Sequence, residues 1–270
     1  MSFSVTITKK GGEGMDRKKA YIAVFDSGVG GISVLKELVK LMPEDNYLYF
    51  GDSANAPYGT RPTEHVRKLT LEAARQLVQR GIKALVVACN TATSAAIEIL
   101  RQTYPDLIIV GIEPALKPAA DQFPQGNIGV MATQVTLREE KFAHQLERFP
   151  NAAVSLIPAP GLVELVEAGG AKTPAAEQLL TPILSPYRGK LDALVLGCTH
   201  YPFVKETVAK ILGPDTLLLD GGAGTARQTK RCLENAGLLW EGPGSIQIEN
   251  SCHDSRLIGL CMELMEENHG

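Results

Sequence analysis

The chain has 270 residues, 44% hydrophobic and 21% charged, with a formal net charge of -3. That length holds one large α/β domain or two of ordinary size, and the composition is that of a soluble globular protein. The charge gives no general reason to expect nucleic acid as a direct partner, and no apolar run approaches the ~18 residues that would span a membrane.

Residues 1–20 lack the apolar core of a secretory signal and carry Lys9, Lys10, Arg17, Lys18 and Lys19 among glycines. They read as a mobile, locally basic tail. From there on, short apolar runs alternate with amphipathic stretches. Strands are predicted at 21–25, 47–51, 84–88, 107–111, 128–131, 154–157, 193–196, 217–219 and 246–249. Most are unbroken apolar runs bounded by Gly, Asp or Pro, the pattern of strands buried on both faces. Across 63–80, Val66, Leu69, Ala73, Leu77 and Val78 recur at helical spacing, and Gly81 follows as a stop. Strand and helix in alternation mean parallel sheets with right-handed crossovers, an α/β fold.

The chain also echoes itself. Val87-Ala88-Cys89-Asn90-Thr91 has a counterpart in Leu196-Gly197-Cys198-Thr199-His200, and Phe25-Asp26-Ser27-Gly28 in Leu219-Asp220-Gly221-Gly222. Two similar α/β halves facing each other across a cleft would produce such an echo, with 113–118 as a crossing between them. Coincidence is the alternative, because strand-to-glycine junctions occur throughout α/β proteins.

In open parallel sheets ligands bind beyond the carboxyl ends of strands, and four motifs fall there. Asp26-Ser27-Gly28-Val29-Gly30-Gly31 leads from a strand into a helix, where glycines allow close backbone approach. It fits neither the dinucleotide-binding nor the phosphate-loop spacing, and Asp26 could simply be a helix N-cap. The segment 52–59 is a turn by composition, with Ser53, Asn55 and Tyr58 as potential hydrogen-bonding groups. Cys89 follows a strand directly, and Asn90, Thr91 and Thr93 open the next helix. Cys198 follows another strand, and Thr199 and His200 lead to Pro202, a residue suited to a helix start.

A thiol at a helix N-terminus should have its pKa lowered toward neutrality. For one cysteine alone, core packing is the default reading; two at corresponding strand ends argue against it. Cys232 and Cys261 lie in amphipathic patterns and read as packing residues, and Cys252, beside His253, receives no role. Five cysteines with no close pairing suit a reducing cytosol. The scattered histidines and the absence of Cys-x-x-Cys or His-Glu-x-x-His spacing speak against a metal site. A cysteine hydrolase would leave the second strand-end thiol unused.

Phe25-Asp26-Ser27-Gly28-Val29-Gly30-Gly31, Pro57-Tyr58-Gly59, Ala88-Cys89-Asn90-Thr91-Ala92 and Leu196-Gly197-Cys198-Thr199-His200-Tyr201-Pro202 resemble, in order and spacing, the signatures of bacterial glutamate racemases. The resemblance runs from about Tyr21 to about Glu234. It implies two pseudosymmetric α/β domains, 21–113 with 224–270 and 114–223, and a substrate buried between them. It also implies interconversion of L- and D-glutamate for peptidoglycan, with neither metal nor pyridoxal phosphate as cofactor.

Carried over by motif, Cys89 and Cys198 are the catalytic thiols, Asp26 assists Cys89, and His200 partners Cys198. Ser27, Pro57, Tyr58, Gly59, Asn90, Thr91 and Thr199 match substrate-contacting positions. Glu167 resembles the family glutamate on the Cys198 side, with Glu164 as an alternative alignment. Thr133 matches a contact, but Val135 stands where members usually carry Gly, so the backbone beside Thr133 is expected to differ. Some members form homodimers, some bind DNA gyrase, and some with an N-terminal extension are activated by UDP-N-acetylmuramoyl-alanine. An aspartate racemase or another amino-acid racemase is the nearest alternative; Cys198-Thr199-His200 and Pro57-Tyr58-Gly59 favour glutamate. A non-enzymatic binder is the alternative from another class, and the retained cysteine pair argues against it.

Two thiols suit such a reaction for a physical reason. Racemisation removes the α-proton from one face and delivers a proton to the other, which one base cannot easily do to a gripped substrate. Two groups, one deprotonated and one protonated, exchange roles with direction. Fixed N–H groups and hydroxyls around the substrate carboxylate can stabilise the carbanion that develops.

Overall fold

In the computed structural model, which describes residues 17–138, 146–252 and 254–266, all nine predicted strands form. They are β1 (Ile22–Asp26), β2 (Asn46–Gly51), β3 (Ala84–Val87), β4 (Ile108–Gly111), β5 (Asn127–Ala132), β6 (Ala153–Pro158), β7 (Ala193–Leu196), β8 (Leu217–Asp220) and β9 (Ser245–Asn250). Every pairing is parallel. One sheet has the order β4-β3-β1-β2-β9 and the other β6-β5-β7-β8. Helices α1 (Ile32–Leu41), α2 (Thr63–Val78), α3 (Asn90–Thr103), α4 (Leu116–Gln122), α5 (Gln134–Arg138), α6 (Leu162–Glu167), α7 (Pro174–Leu184), α8 (Lys205–Leu212), α9 (Gly222–Asn235) and α10 (Ser255–Glu266) lie between and after the strands.

The strand sequences explain this layering. Side chains alternate across a strand, so in β1 Ile22 and Val24 join one apolar cluster while Ala23 and Phe25 join another. The first cluster continues through Tyr47, Tyr49 and Val86 of one sheet to Met131, Leu194 and Leu196 of the other. The second lies on the opposite face of the first sheet, with Leu77, Ile97 and Leu100 of α2 and α3. β1, β3 and β7 are buried along their full length, as unbroken apolar runs predict. The edge strands β6, β8 and β9 are not: they lose cover on one side, and Leu156 of β6 is 42% exposed.

The chain passes from the first sheet to the second after β4 and returns after β8. α9 then packs on α1 and β4 of the first sheet. The two crossings touch, since the backbone of Gly221 lies against the Glu113 carbonyl.

The composition of residues 1–20 suggested a tail, and residues 1–16 lie outside the described residues. Residues 17–20 are held in place, contrary to that expectation. Arg17–Lys19 form one 3-10 turn and Ala20 is buried. Lys83, itself 1% exposed, donates from Nζ to the Lys18 carbonyl at 2.6 Å and to the Leu238 carbonyl at 3.0 Å. Its ion-pair partner is Asp45 Oδ1 at 2.6 Å, also buried. Among the described residues no helix is long and apolar enough to cross a membrane.

A buried ion pair broken from one side leaves a charge without compensation. Lys83→Met should therefore destabilise the protein by about 3–5 kcal/mol in urea unfolding, and adding Asp45→Asn should recover most of the loss.

Candidate active site

The chemistry-bearing residues sit where strand ends of the two sheets meet. Asp26 ends β1 and is fully buried. It does not cap α1; its Oδ1 accepts the Gly28 N–H at 3.0 Å, and Gly31 occupies the N-cap. From the other sheet's side, Thr199 Oγ1 donates to Asp26 Oδ2 at 3.1 Å. Burial pushes the Asp26 carboxyl above its ordinary range, and the nearby His200 charge and the Gly28 N–H only partly offset it.

Cys89 follows β3 and caps α3, accepting the Ala92 N–H at 3.4 Å and donating to Ser27 Oγ at 3.5 Å. The helix terminus was expected to lower its pKa. The opposite holds: burial first, then the negative charge of Asp26, push the thiol up to about 12. The hydrogen bonds with Ser27 and with the Ala92 N–H pull the other way and lose. Cys89 is therefore held as a thiol.

Cys198 follows β7, but no α-helix starts on it. A 3-10 turn, Tyr201–Val204, intervenes before α8, so the two cysteines differ in local structure despite their echoed sequences. Its Sγ lies 3.6 Å from His200 Nδ1. The other ring nitrogen, Nε2, is 2.6 Å from Glu167 Oε1, and that same oxygen accepts the Val29 N–H at 2.7 Å. Burial disfavours a charged imidazole, yet hydrogen bonding with Cys198 and Glu167 outweighs it and raises the His200 pKa well above its ordinary value. As an imidazolium, His200 donates from both ring nitrogens. Of the two candidate glutamates, Glu167 reaches this site, whereas Glu164 is exposed.

The approach of the two sides depends on missing side chains. A Cβ at Gly28 would stand 1.9 Å from Glu167 Oε1, and one at Gly30 would stand 2.5 Å from both His200 Nδ1 and Thr199 Oγ1.

The residues matched to substrate contacts gather here in part. Asn90 is buried at the start of α3, and its Oδ1 has no hydrogen-bond partner among the described residues. Thr91 Oγ1 lies 3.4 Å from both Thr133 Oγ1 and Thr136 Oγ1, across from the other sheet. Pro57, Gly59 and Thr133 border a cavity of about 170 Å³. Val135 occurs within α5, a conformation any L-residue adopts, and Thr133 stays beside Thr91.

The hydroxyl of Tyr58 is not free for a ligand. It donates to Asp52 Oδ2 at 2.7 Å, and Asn55 Nδ2 donates to the same carboxylate at 3.1 Å. Ser53 Oγ likewise accepts from Asn250 Nδ2 at 2.8 Å. These side chains shape the turn that presents Pro57 and Gly59.

Sequence reasoning assigned no role to Asp52, which organises that turn, or to Ser33, whose Oγ donates to the Thr199 carbonyl at 2.9 Å. A serine in the first turn of an amphipathic helix carries no signal that it reaches across to another half. Among the described residues no cluster of three or more His, Cys, Asp or Glu could hold a metal ion. Cys232 is half-buried, Cys261 belongs to the core and Cys252 is exposed.

Two parallel sheets, each with a buried cysteine just beyond a strand end, meet at this contact in an α/β fold. The chain belongs to the Asp/Glu/Hydantoin racemase family, whose model matches residues 26–229. It is 49% identical over 261 residues to a glutamate racemase from Clostridium kluyveri, covering 94% of this chain and 100% of that protein. A glutamate racemase from Thermus thermophilus, solved with β-chloro-D-alanine, superposes with a TM-score of 0.78 at 38% identity, covering 93% and 94% of the two chains. The Escherichia coli glutamate racemase, solved with L-glutamate and the activator UDP-MurNAc-ala, gives a TM-score of 0.73 at 33% identity over 79% of this chain and 83% of that one.

The His200–Glu167 contact makes stability depend on pH with a defined sign. Because the folded-state pKa of His200 is raised, its contribution is full below pH ~6.5 and is lost as pH rises through the folded value. Unfolding free energies of the wild type and Glu167→Gln should differ most at the acidic end of that window. The difference should shrink as pH rises.

Proposed function

We propose that the protein is a glutamate racemase in which Cys89 and Cys198 act as opposed acid and base on the α-carbon, without metal or pyridoxal phosphate. The observation that carries this reading is the contrasting setting of the two buried thiols. Cys89 is held protonated by burial and Asp26, while Cys198 faces an imidazolium fixed by Glu167. Two thiols in unlike surroundings, one of them held protonated, suit an acid and a base acting in one step.

In the L-to-D direction Cys198 takes the α-proton and Cys89 delivers its own to the opposite face, the roles that the family resemblance gives them. Asn90 Oδ1, a buried acceptor without a protein partner, suits the α-ammonium, and Thr91, Thr133 and Thr199 supply hydroxyls for the carboxylates. Ser27, Pro57, Tyr58 and Gly59 complete the proposed substrate shell, Tyr58 through its backbone. The division into domains 21–113 with 224–270 and 114–223 belongs to this reading, as do residence in the cytoplasm, supply of D-glutamate to peptidoglycan and assembly as a homodimer.

Incubation with L-glutamate and chiral analysis of the product tests the activity. Cys89→Ser and Cys198→Ser should each lose overall racemisation, because a serine hydroxyl cannot abstract the α-proton. With a substrate analogue bearing a β leaving group, Cys89→Ser should still eliminate from the L form and Cys198→Ser from the D form. Near-normal racemisation by either variant, or the same enantiomer preference in both, contradicts the two-base assignment.

Activation by UDP-N-acetylmuramoyl-alanine is the regulatory part of the proposal. A cavity of about 600 Å³ spans the two chain crossings, from Glu113 to Gly221, and includes Arg101, Lys117 and Arg227 in its lining. Its size and cations suit a diphosphate-bearing ligand, and its position lets a ligand bias how the halves meet. Addition of the precursor should raise kcat/KM for L-glutamate in steady-state assays; identical rates with and without it remove this part.

A further inference from the structure

Among the described residues two buried polar side-chain atoms lack a protein hydrogen-bond partner, Asn90 Oδ1 and the Tyr201 hydroxyl. The first faces the proposed substrate. The second is left unexplained by the mechanism, although Tyr201 is fully buried and a buried hydroxyl without a partner is costly. Its backbone N–H donates to the Cys198 carbonyl at 3.1 Å, so it shares a turn with that thiol. It also lines the cavity of about 170 Å³ bordered by Pro57, Gly59, Thr133 and Glu164, room for several water molecules.

The two-thiol reaction creates a need at this place. When L-glutamate is converted, its Cα–H bond breaks and the proton bonds to the Cys198 sulfur. The proton leaving the Cys89 sulfur forms the new Cα–H bond. Product departs from an enzyme carrying a thiol at 198 and a thiolate at 89, the reverse of the starting state. Before another L-glutamate reacts, the Cys198 S–H must break and give its proton to solvent, and one solvent proton must join the Cys89 thiolate. No electrons are exchanged.

On the His200 side both ring nitrogens are already engaged, one with Cys198 and one with Glu167. His200 Nε2 is engaged with Glu167 Oε1, and that oxygen accepts the Val29 backbone N–H, which has no proton to release.

We infer that Tyr201 is the positioning residue for a water through which Cys198 exchanges its proton with solvent between turnovers, and that Glu164 at the exposed rim receives it. This rests on the two-thiol reading. Tyr201 orients the water rather than ionising, because burial holds its hydroxyl well above its ordinary pKa.

The test is steady-state kinetics of Tyr201→Phe in both directions, with Glu164→Gln beside it. At saturating substrate each turnover waits for the proton exchange, whereas at low substrate the enzyme resets before the next molecule arrives. Tyr201→Phe should lower kcat and KM together by about tenfold, the rate equivalent of one hydrogen bond, and leave kcat/KM within about twofold. Glu164→Gln should shift the same pair in the same direction, and, being a change at an exposed side chain, it carries the test alone if Tyr201→Phe does not fold. A fall confined to kcat/KM, or unchanged kcat in the folded variants, overturns the inference. Should the wild type itself not racemise glutamate, the underlying reading fails instead; a racemising wild type with unaltered variants refutes only the role of Tyr201.

Discussion

One carboxylate oxygen, Glu167 Oε1, binds the Val29 N–H from the glycine-containing turn after β1 and lies 2.6 Å from His200 Nε2 beside Cys198. It therefore performs two tasks that neither half performs alone. It fastens the strand ends of one sheet to those of the other, and it sustains a buried imidazolium against desolvation. Take away the carboxylate and the imidazole keeps only the Cys198 sulfur of the two partners that favour its charged form. The glycines at 28 and 30 serve the same contact, because any side chain there would occupy the space of Glu167, His200 and Thr199.

Around that contact burial acts with opposite results on neighbouring groups. Water is excluded from Asp26, Cys89 and His200 alike. For Asp26 and Cys89 desolvation prevails and raises the pKa. For His200 hydrogen bonding prevails and favours the cation. The difference lies in partners: Cys89 looks toward the Asp26 carboxylate, whereas His200 is flanked by the Glu167 carboxylate and the Cys198 sulfur. Two similar sheets thus carry their strand-end thiols in unlike surroundings.

The sequence was an accurate guide where physics is local. Nine short runs, most of them apolar with sharp Gly, Asp or Pro ends, placed the strands within a residue or so, because a strand buried on both faces, as β1, β3 and β7 are, has few alternatives once helices alternate with it. The four motifs brought Asp26, Cys89, Asn90, Thr91, Cys198 and His200 to strand ends for the same reason: in a parallel sheet all carboxyl ends point one way. The sequence failed where the outcome is a balance between distant groups. Helix N-terminal position argued for a lowered Cys89 pKa, yet Asp26, 63 positions earlier in the chain, and the loss of water reverse it. Tyr58 read as a ligand donor until Asp52 claimed its hydroxyl.

What the sequence determined by itself, then, is the alternation of elements, the parallel sense of both sheets and the placing of two thiols at corresponding strand ends. Period, turn chemistry and crossover handedness settle those within a few tens of residues. Tertiary structure alone decided that Glu167 rather than Glu164 meets His200, that residues 17–20 are pinned by Lys83, and that Cys89 is a thiol beside an imidazolium-flanked Cys198. Each of these depends on which charges share a water-free space. In a folded chain that is set by the packing of two sheets against each other, information that no local window of residues contains.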